Sequence, residues 1–313
     1  MYGAGEGWST WCACMRTGTF SITAAVGALL VLIFVPVRPG ISRDQTLTID
    51  GQEIHIETLG ESGPIIVFEA GLGNDSSTWR LVAGPVATFA RVVLYDRAGL
   101  GQSLPMLTKR SAVSAEGVAT TLHRLLIVAQ LPPPYILVGH SLGGLYVQMY
   151  ARKYPNEVSG VVLLDSSSAD APGELKTRAR LTPGSAADLE EKGVFESNQQ
   201  VKEVGSFPDI PLTVIAATDH GPFFKDWEPT LMGLQRQLAT LSPQTTFIVA
   251  QGSGHDVQID LPSWSLMQSG EWPDHAIKFT GPSARGSLII LIAKADTIFN
   301  LGRSAQKNRS AMN

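Results

Sequence analysis

The segment from residue 134 to residue 155, PYILVGHSLGGLYVQMYARKYP, constrains the fold more than any other part of the chain. An apolar run of β-prone residues stops at Gly139, a serine follows two positions later, and a helical pattern begins at Leu142. A buried strand that leads directly into a helix is typical of a parallel sheet with helices on both faces. Ser141 would lie on the corner between these two elements.

The same alternation of strands and helices continues along much of the chain. Short apolar runs that indicate further buried strands occur at 64–71, 91–99, 158–167, 211–219 and 245–255. A helical pattern at 114–130 separates two of these runs. Alternating apolar and polar residues around Asp50-Gly51 predict a hairpin. The whole pattern predicts an α/β fold with a mostly parallel, doubly wound sheet.

One long insertion divides the predicted core into two parts, 47–165 and 210–262. The insertion, 166–209, is polar and rich in alanine, glutamate, glycine and proline. An insertion that follows a strand of a parallel sheet projects over the carboxyl edge, where ligands bind. We therefore predict a small lid, with a long surface loop as the alternative.

Both ends of the chain differ from this core. Residues 20–37, FSITAAVGALLVLIFVPV, carry no charge, and as a helix they would span about 27 Å of the roughly 30 Å bilayer core. We predict an N-terminal apolar helix that anchors the protein in a membrane by a single pass of unknown orientation. It would follow a tail at 1–19 and precede a linker at 38–46. A cleaved secretion signal, giving a secreted protein, and a buried segment are the alternatives. Glycines and prolines interrupt any helical stripe after the core, so 263–313 is predicted to be an atypical C-terminal segment.

Charge and cysteine content exclude several classes of function. The chain has a formal net charge of −4 and no basic stripe, so nucleic acid is not expected as a partner. Its two cysteines, Cys12 and Cys14, precede the apolar segment. The core therefore has neither a disulfide framework nor a cysteine metal site. We expect no cofactor and no metal, and the oligomeric state stays open.

The pentapeptide from Gly139 to Gly143, GHSLG, matches the G-x-S-x-G turn that presents a nucleophilic serine between a strand and a helix. The flanking glycines are expected to approach neighbouring chain too closely for a Cβ. The helix that begins at Leu142 directs its N–H groups and partial positive charge at the same point. We therefore predict Ser141 as a nucleophile, with a serine in a tight turn without chemistry as the alternative.

A serine hydroxyl needs a general base within reach, and the base needs an orienting carboxylate. Of the six histidines, His255 follows the last apolar strand and would lie in a loop at the carboxyl edge. We predict His255 as the base, whereas His55 in the hairpin is expected to be exposed. Asp219 and Asp165 each end a strand near the expected histidine loop, so either could orient the imidazole.

Stabilising an oxyanion requires backbone N–H donors near the serine. The glycine-rich segment 68–79, FEAGLGNDSSTW, follows a strand and can turn its N–H groups towards the cleft. We predict the N–H groups of Leu72 and Leu142 as the pair of donors. Removing one such donor typically lowers turnover by about 10² to 10³.

Together these features resemble the α/β-hydrolase fold superfamily, and especially its serine esterases and lipases. The resemblance covers 47–262. It is carried by EAGLGNDSSTW, YDRAGLGQS, GHSLGG, LLDSS and GSGHDVQIDLP. Acids after the later strand are the commoner arrangement in this fold, which favours Asp219 over Asp165. The resemblance also implies that Arg97 in DRAGLGQS braces loops near the cleft.

The resemblance implies acyl transfer to water through a covalent serine ester, without a cofactor. The predicted function is hydrolysis of a small-molecule carboxylic ester, which the predicted anchor and lid suggest is hydrophobic. An amide or carbon–carbon bond hydrolase with the same three residues is one alternative. A catalytically silent, membrane-tethered binding protein of the same shape is another. Haloalkane dehalogenases and epoxide hydrolases place an aspartate at the corner, so the serine argues against them.

Overall fold

The computed structural model describes residues 42–105, 112–173, 175 and 180–260. The strands in these ranges form one sheet, in the order β1-β2-β4-β3-β5-β6-β7-β8. They are β1 Arg43–Ile49, β2 Gln52–Leu59, β3 Ile65–Glu69, β4 Arg91–Tyr95, β5 Tyr135–His140, β6 Val158–Leu164, β7 Leu212–Ala217 and β8 Thr245–Ala250. The pairs β1–β2 and β2–β4 are antiparallel, and the other neighbouring strands are parallel. The predicted mostly parallel α/β fold is confirmed.

Helices cover both faces of this sheet. They are α1 Arg80–Val86, α2 Ala115–Val128, α3 Leu142–Lys153, α4 Ala186–Glu203, α5 Glu228–Leu238 and α6 Val257–Asp260, with short 3-10 turns at Ser76–Trp79, Pro155–Glu157 and Lys225–Trp227. Successive residues of β3 alternate between the faces. Val67 joins the core under α2 and α3, whereas Ile66 and Phe68 join the core under α1. Every residue of β3 is buried, which explains why its sequence is continuously apolar rather than alternating.

The predicted hairpin connects β1 to β2 through Asp50 and Gly51. Both residues have positive φ, 50° and 81°, as a tight two-residue hairpin turn requires. Strand β1 begins at Arg43, so residues 43–46 of the predicted linker belong to the sheet. His55 on β2 is buried rather than exposed, because its ring is enclosed by polar groups, including the carboxylate of Asp96 at 3.0 Å.

The insertion 166–209 contains a true helix, α4. Ser185 caps its N-terminus by accepting a hydrogen bond from the N–H of Asp188. The helix packs against α2 and α3, and the hydroxyl of Ser197 accepts the N–H of Ala115 at 2.9 Å. The segment is therefore anchored to the core along α4, and a role as a lid stays a prediction.

The segments predicted at the two ends, 1–19, 20–37 and 263–313, lie outside the described residues. Within the ranges that are described, no helix combines the length and the apolar character that crossing a bilayer demands. The membrane anchor stays a prediction from the sequence.

Candidate active site

Ser141 lies on the turn between β5 and α3, at the carboxyl edge of the sheet. Its φ of 52° and ψ of −124° form a conformation that residues with a side chain rarely adopt. Its N–H donates to the Leu164 carbonyl at 3.1 Å, and its carbonyl accepts the N–H of Ser167 at 2.9 Å. Contacts with the end of β6 therefore hold the strained turn in place.

The glycines on either side of Ser141 are required by close packing. A Cβ on Gly143 would lie 2.4 Å from the carbonyl oxygens of Glu69 and Ala70. A Cβ on Gly139 would lie 2.7 Å from the carbonyl oxygen of Gly143. Non-bonded atoms do not approach so closely, so a side chain at either position would clash. This close approach explains both glycines, as the sequence pattern predicted.

His255 lies in the loop after β8, and its imidazole connects Ser141 to a carboxylate. Its Nε2 is 2.9 Å from Ser141 Oγ, and its Nδ1 is 2.6 Å from Asp165 Oδ2. With the proton on Nδ1 donated to the carboxylate, Nε2 presents a lone pair to the serine hydroxyl. The structure thus brings together the two residues predicted as nucleophile and base.

The carboxylate beside His255 belongs to Asp165, which corrects the preference for Asp219. The side chain of Asp165 is buried at the end of β6, where its Oδ1 also accepts the N–H of Ala217 at 3.1 Å. Asp219 is exposed beyond the end of β7, and its Oδ1 accepts the N–H of Gly221 at 3.1 Å. The Asp219 carboxylate therefore makes its contact within its own loop after β7.

Two imidazoles share the Asp165 carboxylate. His220 Nε2 lies 2.7 Å from Asp165 Oδ2, the same oxygen that contacts His255. Burial raises the pKa of Asp165, but hydrogen bonds from His220 and His255 outweigh it and hold this pKa well below its ordinary value. Asp165 is therefore an anion at neutral pH.

His220, to which the sequence pattern gave no role, is held on its other side by Glu228 of α5. Its Nδ1 lies 2.9 Å from Glu228 Oε2, and its backbone N–H donates to Glu228 Oε1 at 2.7 Å. Burial lowers the pKa of His220, but Asp165 and Glu228 outweigh it and raise this pKa to about 9. The ring therefore carries both protons at neutral pH. In the sequence, the one sign that His220 could belong to the site is its position just after an apolar strand.

His140, directly before the serine, supports the loop that carries His255. Its Nε2 lies 2.9 Å from the backbone carbonyl of His255 and donates its proton to that oxygen. Burial lowers the pKa of His140, and the neighbouring imidazole of His255 lowers it further, to about 4. A neutral ring thus links the end of β5 to the histidine loop.

Asp165, His220 and His255 have ligand-type atoms that all lie within 4.8 Å of one another, a spacing that suits a metal ion. The nitrogen–oxygen separations of 2.6 and 2.7 Å, however, are hydrogen-bond lengths. Two ligands of a tetrahedral zinc, each about 2.0–2.1 Å from the ion, lie roughly 3.3 Å apart. The arrangement therefore fits protons between these groups better than a cation.

The glycine-rich segment 70–73 adjoins Ser141. A Cβ on Gly71 would lie 3.2 Å from the Cβ of Ser141, so the backbone approaches the serine closely. Leu72 is the next residue, and Leu142 begins α3, where the first N–H groups of a helix have no partner within the helix. Both segments predicted to supply oxyanion donors are thus next to the serine.

Arg97 holds this segment in place, as its expected bracing role requires. Its guanidinium donates to the backbone carbonyls of Ala70 at 2.8 Å and Gly71 at 2.7 Å. The carbonyls are thereby turned towards Arg97, which fixes the direction of the peptide groups in the segment. The planar, multiply donating guanidinium suits such a site better than a lysine would.

Two carboxylates enclose Arg97, and we call Glu69, Arg97 and Glu190 the arginine cluster. Each carboxylate lies 2.6 Å from the guanidinium, and all three side chains are buried. Burial lowers the pKa of Arg97, but Glu190 and Glu69 outweigh it and hold this pKa above its ordinary value. Glu190 belongs to α4 and also accepts the N–H of Gly73 at 2.8 Å. The cluster therefore joins the insertion to the segment beside the serine.

Comparison with known proteins agrees with this architecture. The profile described as the alpha/beta hydrolase family matches residues 66–246. The chain belongs to the alpha/beta hydrolase family. This alpha/beta hydrolase is similar to the uncharacterized protein YqjL of Bacillus subtilis (strain 168), with 31% identity over 229 residues, 70% of this chain and 87% of that protein.

A second relative of this alpha/beta hydrolase carries an activity in its name. It is the pimeloyl-[acyl-carrier protein] methyl ester esterase of Chromobacterium violaceum, 36% identical over 114 residues, which are 36% of this chain and 41% of the esterase. Among solved structures, Cfl2 from Burkholderia cenocepacia aligns with a TM-score of 0.57 at 20% identity, covering 71% of this chain and 92% of that one. The last likeness is one of fold alone.

Proposed function

We propose that this alpha/beta hydrolase is a serine hydrolase that cleaves a carboxylic ester through a covalent acyl-serine intermediate. The observation that carries the proposal is the line of contacts from Ser141 Oγ through His255 to Asp165, with separations of 2.9 and 2.6 Å. These lengths are what a nucleophile, its general base and an orienting acid require.

In the acylation step, Ser141 Oγ bonds to the carbonyl carbon of the ester while His255 Nε2 takes the hydroxyl proton. Asp165 accepts the Nδ1–H of His255 and stabilises the imidazolium that forms. The N–H groups of Leu72 and Leu142 stabilise the negative charge on the former carbonyl oxygen. The carbon–oxygen bond to the alcohol then breaks, His255 gives its proton to the leaving oxygen, and an acyl-serine remains.

In the deacylation step, water takes the place of the alcohol. His255 removes a proton from the water as it attacks the acyl carbon, and the same N–H groups stabilise the second oxyanion. The bond to Ser141 Oγ breaks, and His255 returns the proton to that oxygen. The products are a carboxylic acid and an alcohol, and the residues regain their starting protonation.

The proposed substrate is a small, hydrophobic carboxylic ester. The similarity to a protein named as a methyl ester esterase supports an ester. A hydrophobic ester would suit the membrane anchor that the sequence predicts at 20–37. Turnover of p-nitrophenyl esters of increasing acyl chain length would identify the acyl part that the enzyme prefers.

The proposal is tested by labelling the folded protein with a fluorophosphonate probe and locating the adduct by mass spectrometry. We expect a single adduct on Ser141 and none in the Ser141→Ala variant, which serves as the control. A folded protein whose Ser141 stays unmodified would instead favour a catalytically silent binding protein. Circular dichroism of both proteins establishes that each is folded.

A further inference from the structure

A second histidine lies behind the acid of the proposed triad. We call Asp165, His220, Glu228 and His255 the histidine cluster. The contacts run from Glu228 Oε2 to His220 Nδ1 at 2.9 Å, and from His220 Nε2 to Asp165 Oδ2 at 2.7 Å. They continue from the same Asp165 oxygen to His255 Nδ1 at 2.6 Å. The proposed triad thus extends by one imidazole and one carboxylate.

Both ring nitrogens of His220 face carboxylate oxygens. A carboxylate that is ionised can only accept hydrogen bonds, so each nitrogen of His220 must donate to satisfy its partner. Its side chain is 8% exposed, so water competes little for these bonds. The geometry therefore calls for an imidazolium at this position.

The same contacts fix the Asp165 carboxylate on every side. Its Oδ1 accepts the N–H of Ala217 at 3.1 Å, and its Oδ2 accepts from both imidazoles. Rotation of the carboxylate would break at least one of these bonds. His255 consequently meets an acceptor whose direction is set before any substrate binds.

A positive charge on His220 also acts on His255. The two ring centroids are 6.0 Å apart, with Asp165 between them. A like charge within about 4–6 Å disfavours a second charge of the same sign. Charge on His220 therefore opposes the attraction that Asp165 exerts on a proton at His255.

We propose that His220 is a positioning residue that, charged between Glu228 and Asp165, aims the Asp165 carboxylate and keeps His255 free of a second proton down to lower pH. The inference rests on the proposed function for its effect on catalysis. Among the described residues, the ionisable groups that face His220 are Asp165 after β6, Glu228 on α5 and His255 after β8. The ring of His140 on β5 also faces His255, with the ring centroids 4.8 Å apart. Its chain neighbour Asp219 is exposed and bonded to the N–H of Gly221.

The decisive variant is His220→Gln, because a glutamine amide can still donate to Asp165 but carries no charge. We measure the rate of fluorophosphonate labelling of Ser141 as a function of pH. The acidic limb should move to higher pH by about one unit, so that labelling far below its midpoint falls roughly tenfold while the plateau changes little. A merely structural role would lower the plateau and leave the limb where it is.

A matched control is His123→Gln. His123 on α2 also pairs with a glutamate, Glu157 at 3.1 Å, but has no contact with the histidine cluster. Its substitution should leave both the plateau and the acidic limb unchanged. A shift of the limb in His123→Gln equal to that in His220→Gln would overturn the inference.

Histidine NMR titrations follow the same protonation without any turnover. In the wild-type protein, His220 should keep both ring protons at pH 8, and Glu228→Gln should let it release one at lower pH. In His220→Gln, the ring of His255 should take up its second proton at higher pH than in the wild type. These measurements need only folded protein.

The outcomes separate the two proposals. A wild-type protein without labelling at Ser141 contradicts the proposed function, while the NMR titrations still decide the role of His220. Labelling with an unchanged acidic limb in His220→Gln, or an unchanged His255 titration, overturns the inference. If His220→Gln does not fold, an unchanged His220 titration in Glu228→Gln overturns it.

Discussion

The arginine cluster and the histidine cluster hold different parts of the candidate site by inverse arrangements of charge. In the arginine cluster, one cation, Arg97, is shared by two buried carboxylates. In the histidine cluster, one buried carboxylate, Asp165, is shared by two imidazoles. The first group of residues holds backbone beside the serine, and the second holds the side chain that we propose moves protons.

The difference between the clusters lies in which charges can be removed. An arginine stays protonated across the ordinary pH range, so its hydrogen bonds to the segment 70–73 do not depend on a proton that Arg97 could lose. Imidazoles gain and lose protons near neutral pH, as a proton carrier must. A fixed charge thus suits the scaffold, and titratable groups suit the reacting part. Each of the following substitutions tests whether the two clusters differ in this way.

The largest effect is expected for Asp165→Asn. An amide has one acceptor oxygen, so it cannot accept from the Ala217 N–H on one side and from the two imidazoles on the other. It would favour the wrong tautomer of His255, so kcat on an ester substrate should fall by about 10⁴. Asp219→Asn is the matched control and should change kcat by no more than about threefold, since loss of an exposed contact leaves His255 untouched. Steady-state kinetics of both variants measure this. Equal losses of kcat in the two variants would show that Asp165 has no special role in the reaction.

The next effect is on stability, for Arg97→Met. Removing the cation leaves Glu69 and Glu190 as uncompensated buried acids, which should lower the free energy of unfolding by about 3–5 kcal/mol. Arg124→Met is the control, because the Arg124–Asp50 pair is more than half exposed and such pairs contribute little. Urea unfolding compares the two. A small loss of the free energy of unfolding in Arg97→Met would show that the arginine cluster does not stabilise the fold.

A smaller effect depends on pH, for His220→Gln. The pKa of His220 is raised from 6.5 to about 9 by folding, so its charge stabilises the native state fully below pH 6.5. That contribution is lost as pH rises towards 9. We expect the wild type to exceed His220→Gln by roughly 2 kcal/mol at pH 6, with a difference that shrinks at pH 9. Urea unfolding at both pH values measures it. A difference in the free energy of unfolding that is the same at both pH values would contradict a stabilising charge on His220 that is lost towards pH 9.

The smallest effect is expected for Tyr146→Phe. The Tyr146 ring lies below the Arg97 guanidinium at 5.5 Å, and its buried hydroxyl has no hydrogen-bond partner among the described residues. Removing that hydroxyl should change the free energy of unfolding by less than about 0.5 kcal/mol, or stabilise the fold. Tyr95→Phe is the contrast, because it removes the hydroxyl that contacts Glu69 and should cost about 1–3 kcal/mol. Thermal unfolding ranks the two.

Prediction from the sequence succeeded where a local pattern decides the structure. Strands buried on both faces are continuously apolar, so the sheet and its order of strands and helices follow from periodicity. The corner at Ser141 needs glycines at fixed positions, so a motif is enough to find it. His255 was found because it lies in the loop after the last strand, at the edge where the serine also lies.

The amino-acid sequence by itself therefore determined the fold class, the serine on its strained corner and the histidine that meets it. Only the tertiary structure decided that Asp165 rather than Asp219 contacts His255, and that His220, Glu228 and Glu190 support the site. Asp165 and Asp219 both follow apolar strands, and nothing local tells which way the chain turns after each strand. The supporting contacts join residues far apart in the chain, so they exist only once the sheet and the insertion have packed together.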